Sequence, residues 1–111
     1  MNTITWDDFA RVDMRVGTVV RAEAFPEARR PAYKLFIDFG PEIGQRKTSA
    51  QITDLYELEA LVGQQVIAVV NFPPKQIANF MSECLVLGVL GEQGVVLVQP
   101  NQPVSNGKKI G

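Results

Sequence analysis

The side chains that could do chemistry in this 111-residue chain are cations, amides, hydroxyls and aromatic rings, because it has no histidine and a single cysteine, Cys84. A Ser-His-Asp or Cys-His centre cannot be built without histidine, and a zinc site would depend on carboxylates alone. No acidic pair lies in a setting that would raise a carboxyl pKa. Cys84 lies in the apolar run CLVLGVL and is expected to be a buried hydrophobe. The sequence therefore favours a binding protein over an enzyme, with no metal and no cofactor.

The stretch 71–83, NFPPKQIANFMSE, places apolar side chains where a polar turn would be ordinary. Pro73 and Pro74 cannot donate to a strand ladder and they stiffen the backbone. The sequence therefore predicts a loop that holds its apolar side chains without a sheet around them and forms one wall of a binding groove. In the alternative, these side chains fold back to plug the end of the barrel; Ile77 is expected to do so, and Phe80 is the second candidate.

Positive charge is clustered in a chain whose net charge is only −1. Between residues 60 and 82 there is no acid, and Lys75 is the only charge. Seven of the other ten basic residues gather in three places: Arg29, Arg30 and Lys34, then Arg46 and Lys47, then Lys108 and Lys109. Any hold on nucleic acid must come from such local patches. The alternative is that they are ordinary solvated loop charges.

The apolar pattern predicts a mainly β chain. Thr5 is expected to cap a short N-terminal helix with Trp6, Phe9 and Val12 on one face, and Thr53 to cap a helix over 54–61 that stops before Gly63. The predicted strands cover 15–22, 33–39, 46–52, 64–72, 84–90 and 94–100. Gly17 suggests a bulge or bend in the first of them.

The order of these elements predicts an OB-fold, a five-stranded Greek-key barrel with a helix between its third and fourth strands. The last strand is an extra C-terminal one, and the chain is expected to form one domain over 1–111. An SH3-like barrel or a small sandwich does not expect a helix at that point. OB-folds bind ligands on the outer face of their second and third strands and on the adjoining loops. On that face we expect Lys34, Phe36, Lys47, Ser49 and Gln51.

Several stretches in the same order resemble the bacterial CsaA-type chaperones, a branch of the tRNA-binding-domain family. They are DMRVGTVVRAEAFPEAR, KTSAQIT, VIAVVNFPPKQIANFMSECLVLG and the QP…NGKKIG end. The resemblance implies an OB-fold homodimer and, in the broad family, tRNA binding. In the CsaA branch it implies an export-related chaperone with affinity for unfolded preproteins and the SecA translocase.

Some residues of the broad family's motifs have counterparts here. The resemblance places the serine of the third-strand motif at Ser49, the asparagine and lysine of the loop motif at Asn71 and Lys75, and the following serine at Ser82. The broad family usually has an Arg-Gly pair where this chain has Ala78 and Asn79. This departure removes one charge and one close-approach glycine, so it counts against strong tRNA binding and leaves peptide binding untouched.

Two functions follow as hypotheses: an ATP-independent, peptide-holding chaperone and a tRNA-binding module. The predicted peptide-binding residues are Phe36, Phe72, Phe80, Met81, Arg29 and Arg30. The predicted RNA-binding residues are Lys34, Lys47, Ser49, Gln51, Asn71, Lys75 and Ser82. Three roles are left open for Phe36: stacking on a base, contact with an apolar side chain of a peptide, and simple burial under a loop.

A homodimer is expected because the apolar strands exceed what one barrel core uses. We expect Trp6, Phe9, Val96 and Val98 to contribute to the interface; alternatively, the N-terminal helix caps its own barrel. No apolar run approaches the roughly 18 residues of a membrane helix. The N-terminus has acids where a signal peptide would be basic. These features predict a cytoplasmic protein without membrane insertion.

Overall fold

The computed structural model describes all residues, Met1–Gly111. Three short helices and nine strands follow one another as α1 (Trp6–Ala10), β1 (Met14–Ala24), β2 (Tyr33–Asp38), α2 (Gly40–Ile43), β3 (Gln45–Ala50), α3 (Leu58–Leu61), β4 (Gln65–Val69), β5 (Lys75–Ile77), β6 (Phe80–Ser82), β7 (Leu85–Val86), β8 (Gly88–Leu90) and β9 (Val95–Leu97). The main sheet has the order β3-β2-β1-β4-β7, all antiparallel. It curls into a nearly closed barrel, which confirms the predicted OB-fold. No helix combines the length and the apolar character needed to cross a bilayer.

The barrel core follows the alternation of β2 and the unbroken apolar run of β4. Leu35, Ile37 and the adjoining Phe39 are at most 1% exposed, while the residues between them are half-buried. The run 66–70, which covers most of β4 and the residue after it, is buried, because the core lies on one side and neighbouring segments cover the other. Both patterns confirm the predicted strands.

β1 is the central strand, and its irregularity does not fall at the predicted glycine. The β1–β4 pairing runs regularly through Gly17, whereas the register with β2 shifts between Val19 and Arg21. A Cβ at position 17 would lie 2.6 Å from Ile37 Cγ2 and 2.7 Å from Phe39 Cδ1. Gly17 is therefore needed for close packing, and the bulge lies three residues further on.

Polar side chains bridge the gap between the last and first strands of the sheet, which we call the seam. No strand pairing joins β3 to β7. Thr48 Oγ1 donates to the Cys84 carbonyl at 2.6 Å and lies 2.8 Å from Ser82 Oγ. Ser82 Oγ also accepts the Ser49 N–H at 3.2 Å, and Glu83 N donates to the Lys47 carbonyl at 2.8 Å. Two hydroxyls and one backbone hydrogen bond thus join these edges, where a full backbone ladder is missing.

The helix expected over 54–61 is only the single turn α3, and Glu57, not Thr53, is its N-cap. Tyr56 explains the shortening, because both its backbone carbonyl and its side-chain hydroxyl are hydrogen-bonded to the barrel. Its carbonyl accepts the Tyr33 hydroxyl at 2.7 Å and its own hydroxyl accepts the Leu97 N–H at 2.9 Å. α2, between β2 and β3, is also a single helical turn.

The segment 71–83 does not lack a sheet, contrary to the prediction. β5 and β6 pair as an antiparallel hairpin, with Ala78 and Asn79 as its two-residue turn. Pro73 and Pro74 lie just before β5, where the missing N–H of a proline removes no hydrogen bond from a strand pairing. The strand expected over 84–90 is likewise divided into β7, which joins the barrel, and β8, which pairs with β9 outside it.

The N-terminal helix has the predicted cap. The Thr5 hydroxyl accepts the Asp8 N–H at 3.1 Å, and the Asp8 carboxylate accepts the Thr5 N–H at 3.0 Å. This capping box lowers the pKa of Asp8, with the hydrogen bond from the Thr5 backbone as the main cause. No residue of α1 is buried, and Trp6 is 86% exposed. The Trp6 side chain therefore does not cap its own barrel.

Candidate functional site

An apolar cavity of about 700 Å³ opens where β3 and β7 diverge beyond the seam. We call it the seam groove. The barrel contributes Ala50, Ile52, Cys84, Leu85, Val86 and Leu87 to it. The β5–β6 hairpin and its approach form the opposite wall with Phe72, Pro73 and Ile77. Phe72 is 54% exposed, so its ring is available to a ligand.

The only charged residues that line the seam groove are Arg30 and Lys75. Both are exposed, and neither forms an ion pair within the chain. Two free cations beside an apolar floor favour a ligand that carries apolar side chains next to negative charge.

Cys84 contributes to the floor of the seam groove as a buried thiol, in line with the prediction. Burial raises its pKa to about 12, because a thiolate there would be poorly solvated. The thiolate is the nucleophilic form, so this side chain acts near neutral pH as an apolar surface.

A second surface, which we call the lysine–aromatic face, lies on the outer side of β2 and β3. Phe80 from β6 packs edge-on against Phe25 at 5.4 Å and against Phe36 at 6.3 Å between ring centroids. Lys34 Nζ lies 4.8 Å from the Phe25 centroid and 5.2 Å from that of Phe80. Lys47 Nζ lies 5.0 Å from the Phe80 centroid. Two ammonium groups thus share one aromatic cluster.

The charges of this face are not neutralised by acids. Neither Lys34 nor Lys47 has an ion-pair partner. Arg21, which stacks 4.1 Å above the Phe36 ring, is paired with Glu23 at 2.7 Å. Ring quadrupoles attract these cations and hold them in place, but they do not cancel the positive potential. The face can therefore receive phosphate or carboxylate groups.

The predicted site residues separate into groups. The seam groove brings together Arg30, Ser49, Gln51, Phe72, Lys75 and Ser82. The lysine–aromatic face brings together Lys34, Phe36, Lys47 and Phe80. Phe80 is only 6% exposed, so its predicted place on the ligand-contacting surface conflicts with its burial. Phe80 is buried, as the alternative expected, but in a separate cluster with Phe25 and Ala32 and not in the barrel core.

Three other predicted residues lie outside both surfaces or are already engaged. Met81 pairs with Gln76 across the hairpin and does not line the groove, nor does Arg29. Asn71 ties down the segment after α1: its Oδ1 accepts the Asp13 N–H at 3.0 Å and its Nδ2 donates to the Arg11 carbonyl at 2.7 Å. These two hydrogen bonds give Asn71 a structural role.

Sequence reasoning missed Phe25 as a member of the lysine–aromatic face. The ring is 3% exposed and packs with Ala32 and Phe80 under the β1–β2 loop. The available signal was an aromatic residue in a proline-containing loop, FPEARRP, between two strands. Such a ring has no regular element to cover it, so it must either remain exposed or pack on a neighbouring loop.

The family model described as "Putative tRNA binding domain" matches residues 14–109. In structure, the chain is similar to the chaperone CsaA of Bacillus anthracis, with 54% identity, a TM-score of 0.92 and coverage of 99% of this chain and 100% of the other. It is also similar to CsaA of Picrophilus torridus, with 50% identity, a TM-score of 0.94 and coverage of 98% and 100%. The chain belongs to the CsaA branch of the tRNA-binding-domain family.

The curated relatives are longer proteins. The methionine–tRNA ligase of Methanococcoides burtonii is 35% identical over 108 residues, which cover 96% of this chain and 16% of that ligase. The ligase of Thermotoga maritima is 32% identical over 109 residues, or 98% and 17%. The chain thus spans about one sixth of the length of these relatives.

Proposed function

We propose that this protein is a chaperone that holds extended, partly apolar polypeptide segments in the seam groove without ATP. The observation that carries the proposal is the open apolar cavity beside the exposed ring of Phe72, with its cations kept at the rim. Volume and lining are typical of ligand sites, which span roughly 300–1,000 Å³. The similarity to CsaA chaperones supports the same assignment.

The clients of such a chaperone would be unfolded preproteins awaiting export, with the SecA translocase as a partner. The resemblance of the chain to the CsaA branch is the support for this part of the proposal. Holding is expected to take place in the cytoplasm and to be passive and weak, since a shallow site gains little after the cost of ordering the bound segment.

Binding of a fluorescently labelled unfolded preprotein segment, measured by anisotropy across a salt series, tests this function. Phe72→Ala should weaken binding about tenfold, because it removes an exposed aromatic anchor. Met81→Ala is the matched control, since Met81 is 40% exposed on the hairpin that follows Phe72 but lies outside the groove. Equal affinity of the wild type and Phe72→Ala would remove the groove from the proposal.

A tRNA-binding function is the second candidate, favoured by the lysine–aromatic face and by the family match. Lys34 and Lys47 would contact phosphates there, and Phe36 would offer a half-buried ring to a base. Lys34→Gln with Lys47→Gln should reduce the slope of log affinity against log salt by about 1.4, at about 0.7 per lost contact with single-stranded RNA. An unchanged slope would exclude these two lysines from RNA binding.

A homodimer is part of the proposal. Trp6 is 86% exposed and Val96 44% exposed, while Phe9 and Val98 are half-buried. Apolar side chains presented in this way are suited to an isologous interface of about 1,200–2,000 Å². Trp6→Ala should shift the monomer–dimer equilibrium in sedimentation towards monomer, and Val62→Ala, another exposed apolar position, should not. A Trp6→Ala protein that dimerises like the wild type would exclude α1 from the interface.

A further inference from the structure

Two strand edges face each other across the seam groove. In β3 the backbone N–H and C=O groups of the odd-numbered residues point towards the seam. The bonds of Lys47 and Ser49 to the 82–83 segment show this. Gln51 directly follows the end of β3, and continued alternation would turn its N–H and C=O the same way. Gln51 lines the groove, where no strand is paired with this edge.

β7 presents the opposite edge. Leu85 pairs with Val69, and Leu87 N donates to the Ile67 carbonyl at 2.9 Å, so these residues turn their backbone groups towards β4. Alternation then turns the N–H and C=O of Val86 away from β4 and towards the groove. Val86 and its neighbours line the cavity.

We propose that the bound segment adds a strand in the seam groove, beyond the bonded seam and between the continuation of β3 and the edge of β7, so that its backbone hydrogen bonds close the barrel there. This inference rests on the proposed peptide-holding function and specifies how the same groove is used. Backbone pairing supplies affinity without demanding a particular sequence, and alternate side chains enter the apolar pocket. Such a mode suits a holder of diverse unfolded chains.

The charge of the groove determines which segments it prefers. Arg30 and Lys75 are its only charged lining residues and both are cationic. We therefore infer that the preferred segment has two or three apolar residues flanked by aspartate or glutamate, and that basic flanks are disfavoured. A nucleic acid would satisfy the cations, but it has neither a strand-spaced backbone nor apolar side chains for the pocket.

Four labelled peptides with one apolar core test the mode of binding, with dissociation constants measured by anisotropy on the full chain. One has acidic flanks and one has basic flanks. The other two are acidic peptides N-methylated at alternate amides, one at the odd positions and one at the even positions. We expect the acidic peptide to bind about tenfold tighter than the basic one at low salt. Each of the two N-methylated peptides should lose about tenfold, because alternate amides of a strand inserted between two edges face one edge and the other in turn.

The outcomes separate this inference from the function on which it rests. Equal affinities of the two N-methylated peptides and the unmodified one would overturn strand addition while peptide holding stood. Tighter binding of the basic peptide would overturn the charge preference. No binding of any peptide would overturn both the mode and the proposed function.

A charge-reversed protein supplies the complementary test. Arg30→Glu with Lys75→Glu should reverse the preference towards the basic peptide, because both groove cations become anions. Arg29→Glu with Lys108→Glu changes the net charge equally at exposed positions outside the groove and should keep the acidic preference. Circular dichroism establishes that each variant is folded. An unchanged preference in the first variant would show that these two cations do not select the ligand.

Discussion

The seam groove and the lysine–aromatic face lie on either side of one hairpin and are built from similar residue types. Phe72, on the approach to that hairpin, is 54% exposed, whereas Phe80, on its second strand, is 6% exposed. In the groove, the ring of Phe72 is exposed and the cavity beside it is not filled by other side chains. On the face, the rings of Phe25, Phe36 and Phe80 pack against one another, and lysine ammonium groups lie over them. An aromatic residue in a binding-type loop is therefore a ligand anchor only on the side where nothing of the chain covers it.

The two surfaces also differ in where they place their cations. In the groove, Arg30 and Lys75 stand at the rim of an apolar floor, so an entering apolar group need not strip water from a charge. On the face, Lys34 and Lys47 lie on the rings themselves and would meet a ligand first. The first arrangement suits apolar segments with charged flanks, and the second suits phosphates.

The largest effect that distinguishes the surfaces should come from truncating their two phenylalanines. Phe80→Ala is expected to lower the free energy of unfolding by about 3–5 kcal/mol, because it empties the buried centre of the aromatic cluster. Phe72→Ala is expected to change it by less than about 0.5 kcal/mol, because the ring is already half in solvent. Guanidinium unfolding followed by circular dichroism measures both.

The contrast fails if the two variants lose equal stability. That result would show Phe72 to be as structural as Phe80, and its exposed ring would no longer mark a ligand site. Phe80→Leu serves as the conservative control, and it should retain more than half of the stability that the alanine variant loses.

Local patterns predicted much of the barrel. The alternation over 33–39 identified Leu35 and Ile37 as core, and the unbroken run over 64–72 identified a strand covered on both faces. Thr5 was correctly identified as a helix cap. Each of these features depends on residues close by in the chain. The residue types over one short stretch are therefore enough to predict it.

The candidate site could be predicted only in part, because its shape depends on distant segments. The sequence placed Ser49 and Gln51 on a binding surface. The cavity, however, opens where the chain after β3 and the strand β7 diverge, and no local sequence pattern marks that point. Tyr56 shortened the predicted helix through bonds to Tyr33 and Leu97, which are far away in the chain. The β5–β6 hairpin escaped detection because Ala78 and Asn79 are not a standard hairpin turn pair.

The seam where the groove begins is held by hydroxyls, so removing one should have the next largest effect. Thr48→Val keeps the shape of a side chain that is 1% exposed but leaves the Cys84 carbonyl without its donor. We expect a loss of about 1–3 kcal/mol of unfolding free energy. Thermal and guanidinium unfolding measure it. A loss below about 0.5 kcal/mol would mean that backbone contacts alone keep β3 and β7 together.

A smaller effect, confined to high pH, should report on the floor of the groove. The pKa of Cys84 is raised to about 12, above the value of 9.0 expected in the unfolded chain. The folded state therefore holds this proton more tightly, and the resulting stability is complete below pH 9 and lost as the pH rises towards 12. The wild type should lose about 1.4 kcal/mol more than Cys84→Ala between pH 8 and pH 10. Parallel curves for the two proteins would show that the floor is open to water.

The smallest effect should come from the turn of the hairpin that separates the two surfaces. Ala78 has a φ of 51°, in the left-handed region where a Cβ costs energy. Ala78→Gly removes that strain and is expected to raise the unfolding free energy by about 0.5–1 kcal/mol, even after the greater entropy of glycine in the unfolded chain is included. Asn79→Gly is the matched control, because position 79 has no positive φ, and it should be neutral or destabilising. If Ala78→Gly instead destabilises the protein while peptide affinity stays the same, the turn carries no strain and the two surfaces do not depend on its geometry. A gain in stability with unchanged affinities for peptide and RNA would show that the strain at Ala78 serves neither surface.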